Sequence, residues 1–361
     1  MLDLSRYDRV FLLTDEQVAK CCLPVFYEAI SSQQSAVSNQ QSVISSQLVL
    51  PAGEQHKNLQ TVQRIWDWLI AEKATRSSLL INLGGGVICD MGGFAAATYM
   101  RGMAFVNVPT TLLAMVDAAA GGKTGIDYGT PLLKNCIGAF AEPVTTIYEP
   151  RLLQSLPAEQ VLSGYAEMIK HALLSSPEEL NLLLEYDLRD ITSPAFGEII
   201  KRSVAFKQSI VEQDPHDHGW RQILNLGHTV GHAIEALLLE RNQISEIRCQ
   251  KSEIRDQKSS KPHGYCVMYG IVAEAYLSHM LCGLPAEVVS TLGRFMLENY
   301  GAAPISCKDF DELLRLMQHD KKNSEQSTVV CTLLEAVGKP RVGQRVTPEQ
   351  LREAIEYMCS L

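Results

Sequence analysis

The residues best equipped for chemistry lie in three separate stretches of the chain. His228 and His232 stand four apart in ILNLGHTVGHAIE, so a helix would project both imidazoles from one face. Glu167 and Lys170 stand three apart in GYAEMIKH, one helical turn, and His263 opens HGYCVMYG. A helical pair of histidines can be no more than a satisfied polar patch. One carboxylate with two or three imidazoles from separate segments is also the donor set of an open catalytic zinc-type site, with positions left for substrate oxygens. On spacing alone, His228 pairs with His232, and the choice among the histidines stays open.

A second concentration of chemistry runs from Gly84 to Gly138. The apolar run Leu79-Leu80-Ile81-Asn82-Leu83 predicts a buried strand, and Gly84, Gly85 and Gly86 predict a tight turn where backbone N–H groups can approach a phosphate. Asp90 and the AAAT that follows predict that the turn opens a helix, whose N-terminus favours anions, although glycine triples also serve plain turns. Arg101, Asp117, Lys123, Lys134 and Asn135 then stand among Gly102, Gly121, Gly122, Gly125 and Gly138. Each could be ordinary solvated charge. Interleaved with glycine they read as a pocket for a phosphorylated, oxygen-rich ligand.

The elements that must position these groups follow from the rest of the chain. Its 361 residues are enough for two domains and a sizeable core. A net charge of -9 argues against a nucleic-acid partner. The start MLDLSRYDRV lacks a basic region followed by an apolar core, and no apolar run approaches the roughly 18 residues of a membrane span, so a cytoplasmic protein is expected. Ten cysteines, scattered singly or adjacent and without C-x-x-C spacing, read as reduced thiols. Arg9 to Leu13 predicts a first strand with Asp15 at its carboxyl end, where it could accept ribose hydroxyls or simply form a turn. Gln47 to Leu50 predicts a second strand delivering PAGEQHK, in which Glu54 and Lys57 stand three apart. A helix through Ile65 to Ile70 and strands at Phe105–Val108 and Val144–Tyr148 complete an alternation that predicts a doubly wound, parallel sheet ending near Pro150. Beyond Arg151 the pattern is helical with few strand signals. The polar stretch Ser31–Gln47 and the charged insert Arg241–Pro262 carry no assigned chemistry.

GGGVICDMGGFAAATYMRG, VPTTLLAMVDAAAGGKTGID, KNCIGAF, GYAEMIKH and GHTVGH together resemble the signature region of the 3-dehydroquinate synthase family, among the sugar-phosphate cyclases. The resemblance implies a Rossmann-like, mostly parallel α/β N-terminal domain over residues 1–150 that binds NAD+, and a mostly α-helical C-terminal domain over 151–361 that binds metal and substrate. It implies that Glu167, His228 and His263 bind one divalent metal, Zn2+ or Co2+, and leaves His232 for proton transfer. Cofactor contacts are implied at Asp15, Glu54, Lys57, Gly84, Gly85, Gly86, Val87, Asp90, Thr110, Thr111, Asp117, Lys134 and Ser155.

The substrate the resemblance implies is 3-deoxy-D-arabino-heptulosonate 7-phosphate. Its phosphate would be held by Lys123 and Asn135, with Arg101 reaching in from the neighbouring subunit of a homodimer. Lys207 and Arg221 would take the carboxylate, Asp117, Lys170 and Asn225 the hydroxyls, and Lys321 would close the pocket. Lys123, His232 and Asp217 are the implied catalytic set. The implied reaction oxidises C5 with NAD+, loses the C6 proton and phosphate, returns the hydride and closes the ring by an aldol step, so the cofactor is recycled. The sequence departs from the family habit at Cys89 (usually Gly), Ala118-Ala119-Ala120 (Ser-Ser-Val), Asp127 (Asn) and Asp217 (Glu). The rival readings are a metal-dependent polyol dehydrogenase of the glycerol type, which needs no phosphate cradle, a sibling cyclase, which needs no carboxylate pair, and a non-enzymatic NAD-binding scaffold, which needs no metal.

Overall fold

In the computed structural model, which describes residues 3–34, 44–129, 133–249, 261–318 and 328–361, the apolar run VFLLTD forms strand β1 (Val10–Asp15). Helices α1 (Glu16–Cys21) and α2 (Leu23–Gln34) lead to β2 (Ser46–Leu50), α3 (Leu59–Ala71) leads to β3 (Leu79–Gly84), and α4 (Gly86–Thr98) leads to β4 (Ala104–Pro109). A hairpin of β5 (Lys123–Tyr128) and β6 (Leu133–Phe140) follows, then the short β7 (Thr145–Thr146).

Five of these strands form one wholly parallel sheet in the order β2-β1-β3-β4-β7, the α/β architecture expected. Central β3 is buried at all six positions, which is why its sequence is continuous apolar rather than alternating. Its one polar residue, Asn82, donates to Asn107 at 2.9 Å. The chain leaves β1 toward β2 on one side and reaches β3 on the other, so the strand order reverses between β1 and β3. Their carboxyl ends, at Asp15 and Gly84, flank the crevice where open α/β sheets bind ligands. Val62, Ile65 and Leu69 of α3 and Met91, Phe94 and Ala95 of α4 pack with Phe11, Leu13 and Leu80 into one core. Exposed and buried positions on α3 recur at helical spacing, so periodicity alone defines its inner face.

The chain continues through α5 (Ala158–Ser175), α6 (Pro177–Glu185), α7 (Pro194–Gln213), α8 (His228–Cys249), α9 (His263–Cys282), α10 (Ala286–Tyr300) and α11 (Phe310–Gln318). A second hairpin, β8 (Val329–Ala336) with β9 (Lys339–Val346), precedes α12 (Pro348–Ser360). The residues gather into two compact units, one of Met1–Gly164 with Leu188–Gln208, the other of Tyr165–Asp187 with Ser209–Leu361. Among the described residues no helix is long and apolar enough to cross a membrane.

The two hairpins are structure the sequence patterns did not reveal. In β5–β6, Gly125 stands opposite Gly138, and a Cβ on Gly125 would come 2.8 Å from the Ile137 carbonyl. A Cβ on Gly93 of α4 would lie 2.5 Å from Thr124, so these glycines let the hairpin backbone lie close to its partner strand and to α4. Gly125 and Gly138, read from sequence as pocket glycines, are therefore required by strand pairing. The predicted strand at Val144–Tyr148 shortens to Thr145–Thr146, an edge with one neighbour.

Glycine also sets the spacing of α8 and α9 in the second unit. A Cβ on Gly231 would lie 2.8 Å from the Cys266 carbonyl oxygen, and one on Gly270 would fall on the carbonyl oxygen of Gly227. Since this contact is with backbone, it cannot be relieved by rotating a side chain. Gly270→Ala should cost about 1–3 kcal/mol and lower the thermal unfolding midpoint by several degrees; an unshifted midpoint would contradict the close backbone packing.

Candidate active site

In the first unit, Gly84, Gly85 and Gly86 turn the chain from β3 into α4. Gly85 occupies the N-cap with no side-chain cap, which leaves the first N–H groups of the helix to a ligand or water. The turn packs against the segment after β4: a Cβ on Gly85 would stand 3.1 Å from Thr111 and one on Gly86 3.1 Å from Ala118, while Thr110 donates its N–H to the Gly84 carbonyl at 2.9 Å. Val87 follows in α4, and Cys89, one of the unusual residues, is buried beneath the turn with its thiol 3.7 Å from the Gly84 carbonyl. Asp15 caps α1, accepting from the N–H groups of Gln17 and Val18 at 2.9 and 3.0 Å.

Lys57 and Glu54 do not form the helical pair their spacing suggested. Gly53 has φ +118° and Glu54–His56 is a single 3-10 turn, which exposes Glu54 and buries Lys57. The Lys57 ammonium donates to Asp90 at 2.6 Å and to Asn135 at 2.5 Å, joining α3's approach loop, α4 and β6. Burial raises the Asp90 carboxyl to about 6 despite that ammonium. Removing Lys57 would leave the half-buried Asp90 carboxylate without its cation and destabilise the fold.

Asp117 lies on the segment after β4, and Lys207, on α7 within the same unit, donates to its carboxylate at 2.6 Å and to its backbone carbonyl. Lys123 and Lys134 are exposed at the start of β5 and on β6. Arg101 is exposed in the left-handed region at φ +68°, and Ser155 is exposed in a 3-10 turn. Asn135 is also left-handed, at φ +50°. Strained backbone of this kind costs of order 1–3 kcal/mol and persists where surrounding contacts overdetermine it.

The second unit gathers the metal-type donors. Glu167 is fully buried on α5, and its Oε1 lies 3.5 Å from Nε2 of His228, the first residue of α8, and 3.7 Å from Nε2 of His263, the first residue of α9. Ligands about 2.1 Å from a tetrahedral ion stand about 3.4 Å apart, so these separations suit donors sharing a cation better than direct hydrogen bonds. The other nitrogen of each ring is held: His228 Nδ1 lies 3.1 Å from the Leu226 carbonyl, and His263 Nδ1 lies 2.9 Å from Glu235. Those contacts fix the tautomers that turn both Nε2 atoms inward. The exposed His232 ring stands 5.0 Å from His228 and 5.7 Å from His263, and the three imidazoles can also converge as a ligand set.

Burial opposes charge here, and the neighbours decide where it settles. Burial pushes the Glu167 carboxyl up, but Lys170, then His228 and His263, hold it well below the usual carboxylate range. Lys170 makes an ion pair with Glu167 one turn away. Burial and the Lys170 charge keep His228 neutral, the form a metal requires. Burial pulls His263 down, yet its contacts to Glu167 and Glu235 raise it to about 10.

Arg221 is buried and donates to the Pro215 carbonyl at 3.0 Å, while Asn225 is half-buried at the end of the same 3-10 segment. Asp217 is left-handed, at φ +60°, in a loop tied by Asp214, whose carboxylate accepts backbone N–H groups of His218, Gly219 and Arg221 at 2.9, 2.7 and 3.1 Å. Lys321 lies outside the described residues.

Sequence reasoning passed over Glu235 and Glu274, and it marked Asp127 only as a departure from the family habit. Glu235 was legible, standing seven residues after His228 and on the same helical face. Glu274 was not: it sits in the apolar middle of α9, fully buried, and accepts the N–H groups of Gly227 and Val230 at 2.6 and 3.2 Å, capping the start of α8 beneath His228.

Residues 47–163 match the family description "3-dehydroquinate synthase N-terminal", and residues 164–245 match "3-dehydroquinate synthase C-terminal". The 3-dehydroquinate synthase of Parabacteroides distasonis is 41% identical over 357 residues, covering 99% of this chain and 93% of that protein. The chain belongs to the 3-dehydroquinate synthase family. The enzyme of the same name from Thermosynechococcus vestitus is 38% identical, over 86% of this chain and 80% of that protein. The fold extends to a crystal structure of 2-deoxy-scyllo-inosose synthase complexed with carbaglucose-6-phosphate, NAD+ and Co2+, at a TM-score of 0.77 and 24% identity, covering 99% of this chain and 92% of that one. In this member of the 3-dehydroquinate synthase family, therefore, the fold that carries the glycine turn and the Glu167 cluster is shared with that synthase.

Two measurements probe the geometry. Glu235→Ala should weaken Co2+ affinity by about 10–100-fold in a metal titration, because the His263 ring loses its orienting acceptor; unchanged affinity would remove Glu235 from the site. Three backbone donors hold the Asp214 carboxyl down at about 2, against an ordinary 3.8. A depressed carboxylate contributes stability that is present above the unfolded value and is lost as pH falls through the folded one. The stability gap between wild type and Asp214→Asn, read from urea unfolding, should be full above about pH 4 and shrink toward pH 2; a gap independent of pH would refute the assignment.

Proposed function

We propose that the chain is a 3-dehydroquinate synthase, converting 3-deoxy-D-arabino-heptulosonate 7-phosphate to 3-dehydroquinate and inorganic phosphate with recycled NAD+ and one divalent metal, zinc or cobalt. The observation that carries this reading is the convergence of two inward-turned imidazole nitrogens on one oxygen of the fully buried Glu167, in a chain 41% identical to a full-length relative of that name. Glu167, His228 and His263 would hold the metal; its donors would be a carboxylate and two imidazoles, His263 giving up its proton to the ion, a set that suits zinc and cobalt alike. When bound, the metal supplies a Lewis acid to a substrate hydroxyl and NAD+ supplies a hydride acceptor.

The remaining work falls to side chains. On this reading residues 1–150 bind the dinucleotide through the Gly84-Gly85-Gly86-Val87 turn, Thr110, Thr111, Lys57 and Asp90, with Asp15, Glu54, Lys134 and Ser155 at its edges. Residues 151–361 carry metal and substrate groups. Lys207 and Arg221 bind the carboxylate, where a planar guanidinium can take two oxygens. Asp117, Lys170 and Asn225 orient hydroxyls, and Lys123 and Asn135 take the phosphate. His232, exposed beside the two inward imidazoles, moves the proton, with Asp217 as its acceptor partner. The exposed, left-handed Arg101 is suited to reach a second copy, so a homodimer goes with this reading, as does a cytoplasmic location.

Purified protein given the heptulosonate phosphate, substoichiometric NAD+ and Co2+ should release phosphate over many turnovers without accumulating NADH. Stoichiometric NADH without phosphate would instead favour a polyol dehydrogenase. His228→Ala should lower phosphate release by at least about a thousandfold at saturating metal, since several kcal/mol of charge stabilisation depends on the ion; near-normal turnover would overturn the ligand set.

A further inference from the structure

We infer that Asp127 is a positioning residue that holds Asn135 and Lys57 in the arrangement the phosphate and dinucleotide sites require, a role resting on the proposed reading of those two residues. Asp127 is 4% exposed, on the inner side of β5. Between the pairs Ile126↔Ile137 and Tyr128↔Leu133 the single β5 residue Asp127 faces three residues of β6, so the irregularity lies on β6 around Asn135, opposite Asp127. A bulge bends its strand and re-aims neighbouring side chains.

Two hydrogen bonds radiate from this residue. Its carboxylate Oδ1 accepts the Asn135 N–H at 2.7 Å, directly across the hairpin, where Asn135 holds φ +50°. Its own N–H donates to the Lys57 carbonyl at 3.0 Å. The side chains of the two residues it grips then meet each other, Lys57 Nζ donating to Asn135 Oδ1 at 2.5 Å. One buried residue thus anchors both backbones, that of Asn135 through its carboxylate and that of Lys57 through its own N–H, in a contact whose side chains come from segments 78 residues apart. Asparagine tolerates the left-handed region better than most residues, but the conformation still needs an external acceptor to be the dominant one.

The geometry asks for an acceptor at this position, not for a charge. Asp127→Asn keeps an oxygen at Oδ1 and should behave as wild type. Asp127→Ala frees Asn135 and should raise KM for the heptulosonate phosphate about tenfold with kcat changed less than about twofold. Hydrogen exchange should show faster exchange at the Asn135 amide in Asp127→Ala and wild-type protection in Asp127→Asn. Faster exchange in Asp127→Ala together with the KM shift, both reversed in Asp127→Asn, supports the inference. Unchanged exchange at Asn135, or a lowered melting temperature with unchanged KM, overturns it. Asn135→Ala separates the two layers: a normal KM in that variant would remove Asn135 from the phosphate site, while the exchange result would still decide whether Asp127 positions it.

Discussion

A carboxylate with no access to water is the constraint around which the helical unit is organised. Glu167 is fully buried, and an ionised carboxylate in that setting is tolerated only with compensating charge and hydrogen bonds. Lys170 supplies the charge from the same helix, and two imidazoles turn nitrogens toward the same oxygen. Each compensating group must then be held. Glu274 caps the helix that begins at His228, Glu235 holds the ring of His263, and glycines at 231 and 270 let the two helices approach closely. Replacing such a cluster with apolar side chains of similar volume would often be neutral for folding. Its presence in the core is therefore better explained by a cation and its ligands than by stability.

The sheet unit solves a related problem with an ammonium ion. Lys57 is buried, bonded to Asp90 and Asn135, and so joins the helix after the glycine turn to the hairpin that follows β4. Lys207 does the same for Asp117. In both places a lysine is held by a carboxylate rather than left in water, which leaves its remaining donors directed by the fold. Such pairs cost rotamer freedom when they form, and in exchange the charged groups are ordered before any ligand arrives.

Much of this was readable in advance where a physical pattern is local. The unbroken apolar run of β3, the glycine turn after it, the helix that turn opens and the helix through Ile65 to Ile70 each follow from neighbours in sequence, and they yield the parallel sheet. Glu167 with Lys170 and His228 with His232 were legible for the same reason, one helical turn being a fixed distance. The hairpins were not. Gly125 and Gly138 carry no side chain whose alternation could mark a strand, and their purpose appears only when each is set against the backbone it faces. Glu274 is hidden in an apolar helix, since nothing local distinguishes a capping carboxylate from an error in the hydrophobic pattern.

By itself the sequence determined the fold class, the family and the inventory of donors, because periodicity, turn glycines and dense motifs are properties of adjacent residues. Only tertiary structure decided which donors meet. That Oε1 of Glu167 faces His228 and His263, that Lys57 turns from Glu54 to Asp90, and that Asp127 grips Asn135 across a bulged hairpin depend on strand register and helix packing between residues far apart in the chain. These are set by the balance of burial and hydrogen bonding over the whole unit, which no local window contains.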